Sequence, residues 1–133
     1  MQDQLTKQLI ALADEEYCYL TTTGRVSGRP HEIEIWFGVR DHRIYLLSGS
    51  HSSDWVKNLR KDPAVTVRID GIVFSGTAGL VADGEEEMAA RYILAEKYQE
   101  WEEGKKLSEW ARTARVVGID LDSVHGTLNH PMV

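Results

Sequence analysis

The chain holds one cysteine in 133 residues, so no disulfide can form within it. Cys18 stands in the apolar run YCYL, a setting for a buried, inert thiol rather than a nucleophile. Basic residues are in deficit: 15 Lys and Arg face 21 Asp and Glu, for a formal net charge of -6. That balance argues against sequence-independent nucleic-acid binding, which needs a basic face to neutralise phosphates. It leaves room for a local basic pocket that holds a small anion. No stretch approaches the roughly 20 apolar residues of a membrane span, and MQDQLTKQLI lacks the apolar core of a signal peptide. The expectation is a cytoplasmic soluble protein with no stable membrane insertion. His31, His42 and His51 fall in separate predicted turns and His125 and His130 in the tail, without a helical HxxxH or a cysteine pair. No metal site is expected from that spacing. GxSxG, the P-loop and a GxGxxG after a strand are all absent, as are internal repeats.

What is present reads as an ordinary globular chain, 42% hydrophobic and 27% charged, most simply one domain over residues 1–133. Leu5, Leu9 and Leu12 make one apolar stripe on a short helix over 3–14. Residues 17–23 read as a strand. HEIEIWFGV then alternates as a second, with Ile33, Ile35, Phe37 and Val39 on one side and Glu32, Glu34 and Trp36 on the other. RDHR turns the chain into a third strand, IYLLSG. HSSDWVKNLRK, 51–61, predicts a helix capped by Ser52 or Ser53, with Trp55 and Leu59 on a shared face. AVTVRI and IVFSGTAGLVA form a hairpin about Asp70-Gly71, with Gly76 and Gly79 marking a bulge or a barrel corner. Asp83 and Glu86 have capping-box spacing ahead of the longest helix, 84–101, whose apolar stripe is read as Met88, Tyr92 and Ala95. After a break at Gly104, KKLSEWA is a further helical piece and ARVVGIDL the last strand. The aperiodic tail 123–133 is read as loose or as lying across a partner subunit. About six strands, with helices inserted rather than alternating, predict a mainly β (α+β) fold: an antiparallel sheet curled into a small barrel, with peripheral helices.

Chemistry concentrates in few places. Between the first two strands, Arg25, Ser27, Gly28 and Arg29 offer two guanidinium forks, a hydroxyl and flexible backbone amides. That set suits phosphate or carboxylate, and suits a solvated hairpin loop equally well. Ser48, Ser50, Ser52 and Ser53 supply hydroxyls near a helix start, fit either for an anion or for plain capping. Glu32, Glu34 and Trp36 are read as a pocket wall, with Trp36 available to stack on a flat ring. Tyr98, Trp101 and Trp110 surround the Gly104 break, where core packing competes with a lid over a pocket.

The strings TTTGRVSGRPHEIEIWF, DWVKNLRKDPAVTVRI and WARTARVVGIDL resemble the deazaflavin-dependent nitroreductase and quinone reductase family, over about residues 17–122. The resemblance implies a split β-barrel related to flavoproteins and a bound coenzyme F-420, a deazaflavin with an anionic phosphate and glutamate tail. Carried over by position, it implies cofactor contacts from Arg25, Val26 and Ser27, and from His31, Glu32, Ile33, Glu34, Ile35 and Trp36. Leu47, Ser48, Gly49 and Ser50 would add to these, as would Asp54, Trp55, Val56, Lys57 and Asn58. Val26 stands where many members carry lysine, which shifts the charge to Arg25, with Arg29 as the compensating partner. The implied activity is hydride transfer from reduced F-420 to a small electron-poor acceptor: a quinone, an enone or a nitro compound. Tyr98 is the named candidate for the proton that follows, with Glu32 and bound water as alternatives. Three rivals stay open: an FMN enzyme using the same loop, a cofactor- or ligand-binding protein without turnover, and a structural or interaction domain. Monomer and homodimer also stay open.

Overall fold

A computed structural model describes residues 2–49, 53–82 and 84–127. Among these residues the chain forms four helices and seven strands. Helix α1 is Gln2–Ala11, followed by strands β1 Cys18–Thr23, β2 Pro30–Ile35, β3 Gly38–Arg40 and β4 Arg43–Ser48. Helix α2, Asp54–Lys61, leads to β5 Ala64–Ile69 and β6 Ile72–Leu80. Helices α3 Gly84–Gln99 and α4 Glu109–Thr113 precede β7 Arg115–Thr127.

All seven strands join one antiparallel sheet in the order β2-β1-β5-β6-β7-β4-β3. Its two edge strands, β2 and β3, are consecutive in the chain and separated only by Trp36 and Phe37. Opposite edges of a wide sheet can be so joined only if the sheet curls until they approach, which gives a split β-barrel. The run HEIEIWFGV, expected as one strand, is therefore two, and the strand count is seven rather than six. At the corner between them the backbone of Phe37 finds side-chain partners. Its amide donates to the Tyr98 hydroxyl at 3.0 Å, and its carbonyl accepts from Lys97 Nζ at 3.1 Å. A break in a ladder is tolerable when the freed polar groups are satisfied in this way.

The alternation read from the sequence sets the core. Leu20, Val67, Ile69, Phe74, Ile44, Leu46, Ile119 and Leu121 pack inside the curl with Leu5, Leu9 and Leu12 of α1 and Val56 and Leu59 of α2. Tyr45 and Leu47 face the other way and form a second cluster with Ala90 and Leu94 of α3. Strand β4 is thus buried on both faces, as its unbroken apolar run requires. The β5–β6 hairpin turns at Asp70 and Gly71, both left-handed, with φ of 49° and 81°. The expected bulge lies at Gly76, where the β6–β7 register shifts. A Cβ on Gly76 would stand 2.5 Å from the Asp120 carbonyl oxygen, whereas one on Gly79 would meet open space.

Several expectations need correction. Met88 and Tyr92 point outward, 39% and 37% exposed; Ala95 is buried as expected, but with Ala90, Arg91 and Leu94 rather than with those two. Arg91 is admitted because its guanidinium donates to the Ala111 carbonyl at 2.9 Å and to Glu87 at 2.6 Å. Of the expected capping box, Asp83 lies outside the described residues, and the Glu86 carboxylate accepts hydrogen bonds from Arg43 and Tyr45. Residues 123–127, read as the start of a loose tail, continue β7 and pair with β6 across two register shifts; 128–133 lie outside the described residues. No helix among those described is long and apolar enough to cross a membrane.

Candidate functional site

The loop joining β1 to β2 is built to be short and shaped. The Gly24 amide donates to the Arg29 carbonyl at 2.8 Å, and Gly28, left-handed at φ 73°, donates to the Gly24 carbonyl at 2.9 Å. Gly24 leaves room for its neighbours: a Cβ there would lie 2.7 Å from both His31 Nε2 and Ser27 Oγ, so both side chains would have to turn aside. Ser27 Oγ accepts from the Arg29 amide at 3.1 Å, closing the loop internally.

Helix α2 pins this loop. Asn58, 4% exposed, places one carboxamide oxygen between the Arg25 amide at 3.1 Å and Arg25 Nη1 at 2.9 Å. Its nitrogen donates to Thr22 Oγ1 at 3.3 Å, so a buried amide ties helix, strand and loop together. Arg25 Nη2 pairs with Asp54 Oδ1 at 3.1 Å, and Lys61 Nζ donates to the Arg25 carbonyl at 2.8 Å. In contrast, the amides of Val26 and Ser27 have no hydrogen-bond partner among the described residues.

Loop, β2 and α2 enclose a cleft of about 440 Å³. Of the anticipated site residues it is lined by Arg25, Val26, Ser27, His31, Glu32, Ile33, Asp54, Trp55 and Asn58, with Gly24 added. The spacing of W-x-x-N-L explains the helix contribution, since residues three and four apart share a helix face. Two adjacent free amides, a guanidinium and an open cleft form the donor set an anionic group requires, so the residues fit a phosphate-bearing cofactor. The cleft is charge-balanced rather than basic, because Asp54 meets Arg25. Glu32, for its part, is held by Arg68 Nη2 at 3.2 Å from Oε2.

Other anticipated residues sit elsewhere. Val56 is 1% exposed in the main core and Leu47 packs in the second cluster. Ser48 and Ser53 hydroxyls meet at 2.9 Å; Ser53 is the N-cap of α2 without a side-chain capping bond. Glu34 accepts from Tyr19 Oη at 2.8 Å on the sheet's outer face. Ile35 packs partly buried against the core, and Lys57 and Arg29 are exposed away from the cleft lining. Ser50 lies outside the described residues.

Trp36 and Tyr98 form a separate aromatic group. Their rings stack at 4.3 Å and 5°, and Trp110 meets Trp36 edge-on at 5.6 Å. Gly49 lies beside it, where an added Cβ would stand 3.3 Å from the Trp110 ring. One face of Trp36 is therefore already covered. The Tyr98 hydroxyl donates to the Glu16 carbonyl at 2.8 Å while accepting from Phe37, and burial pushes its phenol up to about 12. A phenol so held is a poor acid near neutrality. Sequence reasoning missed Lys97, whose Nζ stands 3.7 Å from the Phe37 ring centroid and whose pKa burial lowers to about 8. Nothing in EKYQE distinguishes it from a solvated helical lysine. Among the described residues no cluster of three His, Cys, Asp or Glu is gathered for a metal.

A curled seven-stranded sheet with helices on its flanks and a donor-lined cleft at one hairpin defines the class: a split β-barrel. The chain belongs to the F420H(2)-dependent quinone reductase family, whose model matches residues 5–116. Among solved structures it is similar to a conserved hypothetical protein from Mycobacterium tuberculosis, with a TM-score of 0.75 and 22% identity over 89% of this chain and 81% of that one. It is similar to a protein described as an F420 reductase, with a TM-score of 0.64 and 17% identity over 86% and 93%. The heme storage protein HutZ from Vibrio cholerae matches with a TM-score of 0.69 and 16% identity over 92% and 94%. At these identities the likeness shows the fold. No match is found among curated proteins.

Proposed function

We propose that this chain binds F-420 and passes its hydride to a small electron-poor acceptor such as a quinone, an enone or a nitro compound. The observation that carries the reading is the cleft itself. Loop 24–29, β2 and α2 converge on one cleft, and Arg25, Val26 and Ser27 lie together along its lining. Val26, 94% exposed, would contribute through its backbone amide, which needs no lysine side chain. Reduced F-420, when bound, supplies the hydride; the chain supplies binding, orientation and shielding. Arg25 and the two amides would hold the anionic tail, while Trp55 and Ile33 give the cleft apolar surface for the rest. Tyr98 acts here as a positioning residue that stacks on Trp36 and secures the Phe37 corner.

Titration of the purified chain with F-420 and with FMN, followed by fluorescence, tests this. Saturable binding of F-420 well below millimolar is expected; no binding below that level, worth only about 4 kcal/mol, would sink the reading. Preferential binding of FMN would transfer the site to that cofactor. Acceptor-dependent reoxidation of reduced F-420 then separates a reductase from a binding protein. Tyr98→Phe should leave affinity and turnover within about twofold while lowering stability by about 1–3 kcal/mol, the cost of an unsatisfied buried amide. Lost turnover with intact stability would restore Tyr98 as the proton donor.

A further inference from the structure

The guanidinium that lines the cleft already has an anion. Asp54 Oδ1 lies 3.1 Å from Arg25 Nη2, and Asn58 Oδ1 accepts from Nη1 at 2.9 Å. These two partners are unlike. Asn58 is neutral, buried and fixed a second time through Thr22. Asp54 carries its charge on a side chain 84% exposed, at the first turn of α2, where rotation into water meets no packing barrier. Exposed ion pairs of this kind are weak because water screens them, so the contact holds Arg25 in place yet yields to a better anion.

We propose that Asp54 is an internal competitor: its carboxylate occupies the edge of Arg25 that a ligand's phosphate or carboxylate takes, and so sets the affinity of the cleft. The inference rests on the reading that an anionic cofactor tail enters this cleft. Bound ligand would displace Asp54 into solvent, while Asn58 keeps the arginine aimed and the Val26 and Ser27 amides complete the grip. Asp54 also leaves the empty cleft close to neutral, which weakens long-range attraction for anions and makes binding only mildly salt-dependent. The opposite role, a carboxylate that stiffens Arg25 for its ligand, predicts the opposite sign on removal.

The test titrates F-420 and FMN into the full chain and into Asp54→Asn, at low salt and at 0.3 M salt. The variant is expected to bind the cofactor about two- to fivefold more tightly, with a steeper loss of affinity on adding salt. Asp54→Ser, which keeps a helix-starting residue, should shift in the same direction. Unchanged melting temperatures in both variants would exclude a folding effect. Wild-type binding with equal or weaker binding in both variants overturns the competitor and leaves the cleft as the cofactor site. Failure of either cofactor to bind any of the three proteins overturns the cleft reading itself, and this inference with it.

Discussion

Half-buried Lys97 and buried Cys18 are two titratable groups whose contributions to stability change in opposite directions with pH. Burial lowers the Lys97 ammonium from an ordinary 10.5 to about 8, with Cys18, Asp14 and Glu15 pulling it back up. Burial raises the Cys18 thiol from 9.0 to about 12, moderated by Lys97. Between about pH 8 and 10.5 the unfolded lysine holds a proton that the folded one has released, so stability rises with pH. Above about pH 9 the unfolded thiol ionises while the folded one stays protonated, so its contribution falls with pH. Urea denaturation should therefore show stability climbing from about pH 8 to 9 and flattening or declining beyond. A Lys97→Met variant should lose the climb and keep the decline. Composition already marked Cys18 as inert, since YCYL is apolar on both sides. Lys97 was illegible because what desolvates it, the Phe37 ring and carbonyl, lies 60 residues away in the chain.

The strands were legible element by element, and the helices less so. Period-two alternation in β1, β5 and β6 reports which face is buried, and the inner residues Leu20, Val67 and Phe74 are fully covered. In α3 two apolar stripes compete, and the sheet beneath selects the one through Ala90 and Leu94, leaving Met88 and Tyr92 outside. The long β2–β3 run reads as continuous because its alternation carries straight through the corner. Only the pairing partners on opposite sheet edges reveal the break. The two glycines of β6 also look alike in sequence yet differ in space. Gly76→Ala should cost several kcal/mol or prevent folding, because its methyl would meet the Asp120 backbone. Gly79→Ala, into open space, should be neutral or stabilise by about 0.5 kcal/mol. Chemical denaturation of the pair distinguishes a close approach from mere strand composition.

At the scale of the whole molecule, one sheet carries every strand described, and its two edges meet through the Trp36–Phe37 corner. Helices α1 and α2 close the inner cluster while α3 covers β4 from outside. A chain wired this way is expected to unfold as one unit. Thermal unfolding followed by far-ultraviolet circular dichroism and by tryptophan fluorescence should coincide; separated transitions would divide the chain into more than one domain. The cleft lies where the first hairpin meets α2, so cofactor binding should raise the midpoint of that same transition.

Sequence by itself determined the mainly antiparallel β-fold, the inward faces of its strands, the Asp70-Gly71 turn and the family. These follow from local periodicity, turn chemistry and motif spacing, which neighbouring residues carry among themselves. It also named most of the residues that line the cleft, because TTTGRVSG and W-x-x-N-L are contiguous motifs. Tertiary structure alone decided which polar groups remain available there. Arg25 is paired with Asp54, from a segment 29 residues away, while the Val26 and Ser27 amides have no hydrogen-bond partner among the described residues. It likewise assigned the Tyr98 hydroxyl to the backbone of Phe37, 61 residues distant. Hydrogen bonding and charge pairing are properties of what folding brings within 3 Å, and no period along the chain encodes them.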